Sequence, residues 1–150
     1  MKFSQTATVP AGREPLWQLL MDIPRVAACL PGVEGVEQID GETYKGTLKV
    51  RVGPIALSLQ GKIVLEEKDE TACRAALRAE AEDRRVAGAM RGKSTMELRE
   101  LSAEETELTV ETDVNILGKI GEFGQPIIRK KADKMLVTFI DNIKKELAGS

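Results

Sequence analysis

With 150 residues, a formal charge of -2 and an isoelectric point near 5.4, the chain is long enough for one full core and has no global basic field to draw nucleic acid. It contains no histidine, which removes the commonest general base, the usual partner of a nucleophilic serine or cysteine, and the commonest metal ligand. No catalytic, metal or cofactor site is expected from composition alone.

No Pro/Ser-rich linker divides the sequence, so residues 1–150 are read as a single domain. Cys29 and Cys73 are too few for a disulfide framework or a CxxC site and are read as reduced, small apolar residues. Met1 to Pro10 lacks the basic and then apolar zones of a signal peptide, and no twenty-residue apolar run follows, so a cytoplasmic protein is expected.

Lys2 to Val9 alternates apolar and polar residues as a half-buried strand does, and Pro10, Ala11 and Gly12 end it. Arg13 to Met21 places Leu16, Trp17, Leu19 and Leu20 at helical spacing, and a second short helix, Pro24 to Cys29, stops at Leu30-Pro31-Gly32. Six strands follow: Val33 to Ile39, Thr43 to Val52, Ile55 to Glu67, Thr71 to Ala81, Val86 to Leu101 and Thr106 to Leu117. The loops between them are too short for crossover helices, so the sheet must be an antiparallel meander.

Each strand has one apolar and one charged or polar face, which describes a curved sheet with a wet outside and a dry inside. Gly46, Gly61, Gly88 and Gly92 fall on the inner face, where glycine marks bends or close approach. Alanines line much of the rest, and aromatics make up only 3% of the chain. Such a lining either leaves space that side chains do not fill or packs tightly as alanine; the sequence favours neither.

From Gly118 to Leu147, Ile120, Phe123, Ile127, Ile128, Met135, Leu136, Phe139, Ile140, Ile143 and Leu147 recur at three- and four-residue steps. This predicts a helix with one wide apolar stripe, roughly 40 Å long, to be covered by the sheet. Gly124 and Pro126 predict a kink or break within it.

Several apparent motifs fail. Gly88 to Thr95 has the look of a phosphate-binding loop, but the first required glycine is Ala87 and the segment lies inside an alternating strand. Gly32-Val33-Glu34-Gly35 lacks the strand and helix that frame a dinucleotide fingerprint. Glu66, Glu97, Glu107, Glu111 and Asp113 fall on the outer phase, leaving no carboxylate pair inside. Ser94 is on the inner phase with no base nearby.

The order of strand, two short helices, meander and long helix resembles the helix-grip architecture of the START and polyketide-cyclase (SRPBCC) superfamily, an α+β fold with a curved seven-stranded antiparallel sheet wrapped around a C-terminal helix. Within it the chain is similar to the family of the G subunit of carbon monoxide dehydrogenase, through Leu30-Pro31-Gly32-Val33, Val50-Arg51-Val52-Gly53-Pro54, Gly88 to Met96, and Asp113-Val114-Asn115-Ile116-Leu117-Gly118-Lys119-Ile120-Gly121-Glu122-Phe123-Gly124. The resemblance implies a hydrophobic cavity between sheet and helix and a role beside a molybdenum-containing dehydrogenase, through membrane recruitment or carriage of a lipid-like electron acceptor such as a quinone. Some relatives extend beyond the long helix with a tail that reaches membrane, whereas this sequence ends at Ser150; a cytoplasmic protein, at most peripheral at the inner membrane face, is expected.

The expected cavity lining is Trp17, Leu20, Tyr44, Leu48, Val50, Leu57, Leu59, Leu77, Met90, Ser94, Met96, Val110, Val114, Phe123, Ile127 and Met135. The leading expectation is a non-catalytic carrier of a hydrophobic small molecule serving an oxidoreductase assembly. Its rivals are a cyclase- or hydratase-like enzyme using Tyr44 or Ser94, and a structural adaptor with a packed interior. An edge strand and a long helix both permit a homodimer.

Overall fold

The computed structural model describes residues 1–149. Strand β1 is Lys2–Val9, followed by helices α1, Arg13–Met21, and α2, Ile23–Ala27. Strands β2 to β7 are Val33–Gln38, Thr43–Val52, Ile55–Asp69, Arg74–Asp83, Gly88–Ser102 and Glu105–Gly118, and helix α3 is Gln125–Ala148. All seven strands form one antiparallel sheet in the order β1-β7-β6-β5-β4-β3-β2. The meander runs β2 through β7, and β1 returns to the far edge beside β7, where Met1 exchanges both backbone hydrogen bonds with Val114.

This is the predicted seven-stranded helix-grip arrangement, with differences at the element ends. The single helix expected from Gly118 is instead a strand end, a 3-10 turn over Lys119–Phe123, and a break. Gly118 has φ +76, and a Cβ there would collide with the Ala87 carbonyl, so the chain leaves β7 through a conformation that only glycine adopts without strain. Gly124, φ +81, separates the turn from α3, and Pro126 sits in the first helical turn, where its missing N–H costs nothing. Val86 belongs to a 3-10 turn over Arg84–Val86 rather than to β6. Cys73, at φ 51, turns the chain into β5, which therefore begins at Arg74.

Side chains pack in two separate clusters. At one end of the fold, Leu16, Trp17, Leu19 and Leu20 of α1 join Val9, Cys29, Cys73, Leu98 and Leu108, and the second half of α3 adds Ile140 and Ile143. At the other end Val52, Leu57, Leu59 and Ile120 form a smaller cluster, flanked by Leu48, Val50, Met90, Ile116 and Phe123.

The sheet is not continuous at this second end. The β4–β5 ladder begins at Gln60 opposite Glu82, so Ile55 to Leu59 pair with β3 alone. In place of the missing ladder bond, the Asp83 carboxylate accepts the Ser58 N–H at 2.8 Å. It also takes the Arg85 backbone N–H and two guanidinium N–H groups at 3.0 to 3.2 Å. The carboxylate is only 3% exposed, and the Arg85 guanidinium, followed by the Ser58 amide, pushes its pKa down to about 2.

Two outcomes follow for stability. Ile143 is fully buried and Val137 is 64% exposed on the same helix. Ile143→Ala is expected to cost about 2–5 kcal/mol and Val137→Ala less than about 0.5 kcal/mol, measured by urea unfolding. Because the folded pKa of Asp83 is depressed, its contribution is complete above the ordinary carboxylate pKa near 3.8 and is lost as pH falls toward about 2. Asp83→Asn is expected to be destabilised at neutral pH and to lose less further stability than the native protein between about pH 4 and 2; parallel acid unfolding curves would contradict the latch.

Candidate functional site

Between the two clusters the inner face of the sheet is built from small residues. Strand pairing aligns Gly46, Gly61, Ala81, Met90 and Ile116 in one row, and Tyr44, Ile63, Ala79, Gly92 and Val114 in the next. A third row runs through Leu65, Leu77, Ser94, Thr112 and Phe3. With three glycines and two alanines in the first two rows, few side chains rise far enough from this floor to meet a helix packed at the usual distance.

Burial follows the same division. Ile63, Leu77, Ala79, Ser94 and Thr112 stay half-buried and belong to neither cluster. Opposite them, Ile128, Ala132 and Met135 of α3 are also half-buried and join neither cluster, although the second half of the same helix is sealed. The candidate gap for an apolar guest is this middle zone of the inner face, in which Tyr44 and Val114 are themselves buried.

The helix is held over this gap by polar straps. On the β1 side Gln5 donates to Asp133 at 2.9 Å, and Arg129 donates to the Lys2 carbonyl at 3.2 Å. On the opposite side Asn142 donates to the Cys29 carbonyl at 2.8 Å, and Arg25 pairs with Glu146 at 2.6 Å. Inside the gap, the Ser94 and Thr112 hydroxyls lie 2.7 Å apart.

The sequence-predicted lining divides by place. Tyr44, Leu77, Ser94 and Val114 lie in adjacent middle rows of the inner face, the first and last buried and the other two half-buried, and Met135 is half-buried on α3. Leu48, Val50, Leu57, Leu59, Met90 and Phe123 form or flank the smaller cluster at one end. At the other end Trp17, 1% exposed, and Leu20 are packed inside the larger cluster, with Met96 and Val110 against it. Ile127 is 46% exposed and in neither cluster. Thr112 was missed, although it alternates with Val110 and Val114 on the inner phase. Gln5 shares the inner phase of Phe3 and Ala7 and was also missed.

The chemistry available in the gap is limited. Cys29 and Cys73 are buried in the larger cluster, and burial, the first cause in each case, pushes both thiols up, away from the thiolate form. Among the described residues no group of three His, Cys, Asp or Glu could hold a metal ion. Two open grooves of about 920 and 750 Å³ have mixed borders, the first including Lys49, Arg51, Leu57 and Arg85, the second Lys45, Gly46, Gly61, Lys62 and Arg91. The charged residues on both borders suit polar solutes, so the apolar gap is the candidate site for an apolar one.

Comparison with known proteins agrees with this architecture. A conserved protein from Geobacillus kaustophilus superposes with a TM-score of 0.91 at 21% identity, over 100% of this chain and 97% of that one. A START superfamily protein from Mycobacterium smegmatis gives 0.73 at 13% identity, over 99% and 97%. The Zhui aromatase/cyclase from Streptomyces sp. R1128 gives 0.70 at 19% identity, over 99% and 93%. At these identities the likeness establishes the fold and no activity. Among curated protein sequences no significant match was found. The family model for the G subunit of carbon monoxide dehydrogenase (CoxG), however, matches residues 6–148, nearly the whole sequence, and on that match the chain belongs to the CoxG family.

Proposed function

We propose that the protein is a non-catalytic carrier of a hydrophobic small molecule, lipid- or quinone-like, and an accessory to a molybdenum-containing dehydrogenase of the carbon monoxide dehydrogenase type. The observation that carries this is the small-residue middle of the inner face, where Ile63, Leu77 and Ala79 of the sheet and Ile128, Ala132 and Met135 of α3 are half-buried and join neither packed cluster. A packed adaptor gains by burying such side chains completely, because apolar area removed from water contributes roughly 25 cal/mol per Å². Met135 and Met90 on the walls supply flexible, polarizable contact suited to a guest of variable shape. Membership in the CoxG family supports the dehydrogenase as the partner. Among the described residues no helix is long and apolar enough to cross a membrane.

A cyclase-like enzyme is the second reading, favoured by the fold shared with the Zhui aromatase/cyclase. Against it stands the gap itself, whose hydroxyls are paired with each other and have no base beside them.

Trp17 is the chain's one tryptophan and lies in the larger cluster, so quenching of its fluorescence by decylubiquinone provides a binding signal. Ala79→Phe places a ring in the gap: the expected result is a melting temperature within about 2 °C of the native protein and a fall in quinone affinity of about tenfold or more. If the interior is packed, the same change destabilises by roughly 1–3 kcal/mol and the native protein binds no quinone. That outcome would refute the carrier function.

A further inference from the structure

Accepting the apolar gap as a carrier site, we infer that its guest is an uncharged molecule with a carbonyl or equivalent neutral acceptor, read by the Ser94–Thr112 hydroxyl pair. The two residues face each other across β6 and β7 on the inner side of the sheet, with their oxygens 2.7 Å apart. A hydroxyl has one hydrogen to donate. In a pair, one O–H is spent on the partner oxygen while the other remains free for a third group. That spare donor lies in a half-buried position between Leu77 on β5 and Phe3 on β1, with Gly92 and Met96 two residues away along β6.

Both side chains interrupt an otherwise apolar alternation. Thr112 stands between Val110 and Val114, where valine has the same shape and a better fit to an apolar wall. Removing a hydroxyl from a greasy surface normally gains stability unless the hydroxyl is satisfied, and here the pairing satisfies it without a guest. What the pair adds beyond a valine and an alanine is one spare O–H on the inner face of the sheet.

The surroundings favour a neutral group over an anion. No cationic side chain lies in the three inner rows of the sheet. On α3 Lys131 is half-buried, and the exposed Arg129 donates to the Lys2 carbonyl beside Phe3 at the end of the third row. Asp133, equally exposed, accepts from Gln5 one turn along, so these solvated charges of opposite sign offset each other and draw a carboxylate only weakly. A carbonyl accepts one hydrogen bond at no charge cost and suits this donor.

The test uses three molecules of one shape competing with Nile red for the native protein: benzophenone with a carbonyl, diphenylmethane without one, and diphenylacetate with a carboxylate. Benzophenone is expected to displace the dye at a concentration about five- to tenfold below the other two, the value of one neutral hydrogen bond in an apolar site. In Ser94→Ala/Thr112→Val that preference disappears while diphenylmethane competes as before, and Thr112→Ser alone retains it. Equal competition by all three, a preference for diphenylacetate, or a ketone preference that survives the double change would overturn the assignment of the pair. Failure of Nile red to bind the native protein at all would instead remove the carrier function on which this inference rests.

Discussion

The structure depends on a mismatch of height between the two surfaces that α3 spans. Large aliphatic and aromatic side chains rise from the sheet at both ends, whereas Gly46, Gly61, Ala79, Ala81 and Gly92 leave the floor low between them. A straight helix resting on two raised ends cannot also touch a low middle. The proposed gap follows from the order of large and small residues along five strands.

A helix supported in this way has lost part of its packing and needs other anchors. Its second half is sealed by Ile140 and Ile143, while the first half relies on Gln5 and Arg129, which join it to β1. Exposed polar contacts of this kind contribute little individually, so the first half of α3 is held less firmly than the second. The break at Gly124 separates the Gln125 end of the helix from the 3-10 turn that follows β7.

Much of the fold was legible in the sequence because period-two alternation and short turns fix an antiparallel meander with few alternatives. Thr43–Val52 and Arg13–Met21 match expectation to the residue. The starts of β5 and β6 moved at residues with positive φ: Cys73 and Ala87 are not glycines, so nothing in their identity announces a left-handed conformation, while α2 and several strand ends shifted by one or two residues. The site was less legible. Alternation tells which residues face inward but not how far apart the facing surfaces stand, so Trp17 and Leu77 received the same assignment although one is locked in a cluster and the other borders the gap. Gln5 and Thr112 fell outside the expected lining although Ser94, equally polar and on the inner phase, was within it.

The wet middle layer also has a thermal consequence. The heat capacity increment of unfolding scales with the apolar surface newly exposed to water, and a protein whose central layer is already hydrated has less of it left to expose. The guest-free chain should therefore have a flatter stability curve than a fully packed domain of its length. An apolar guest in the gap replaces the missing layer of core, adding its own binding energy to the folded state and steepening that curve.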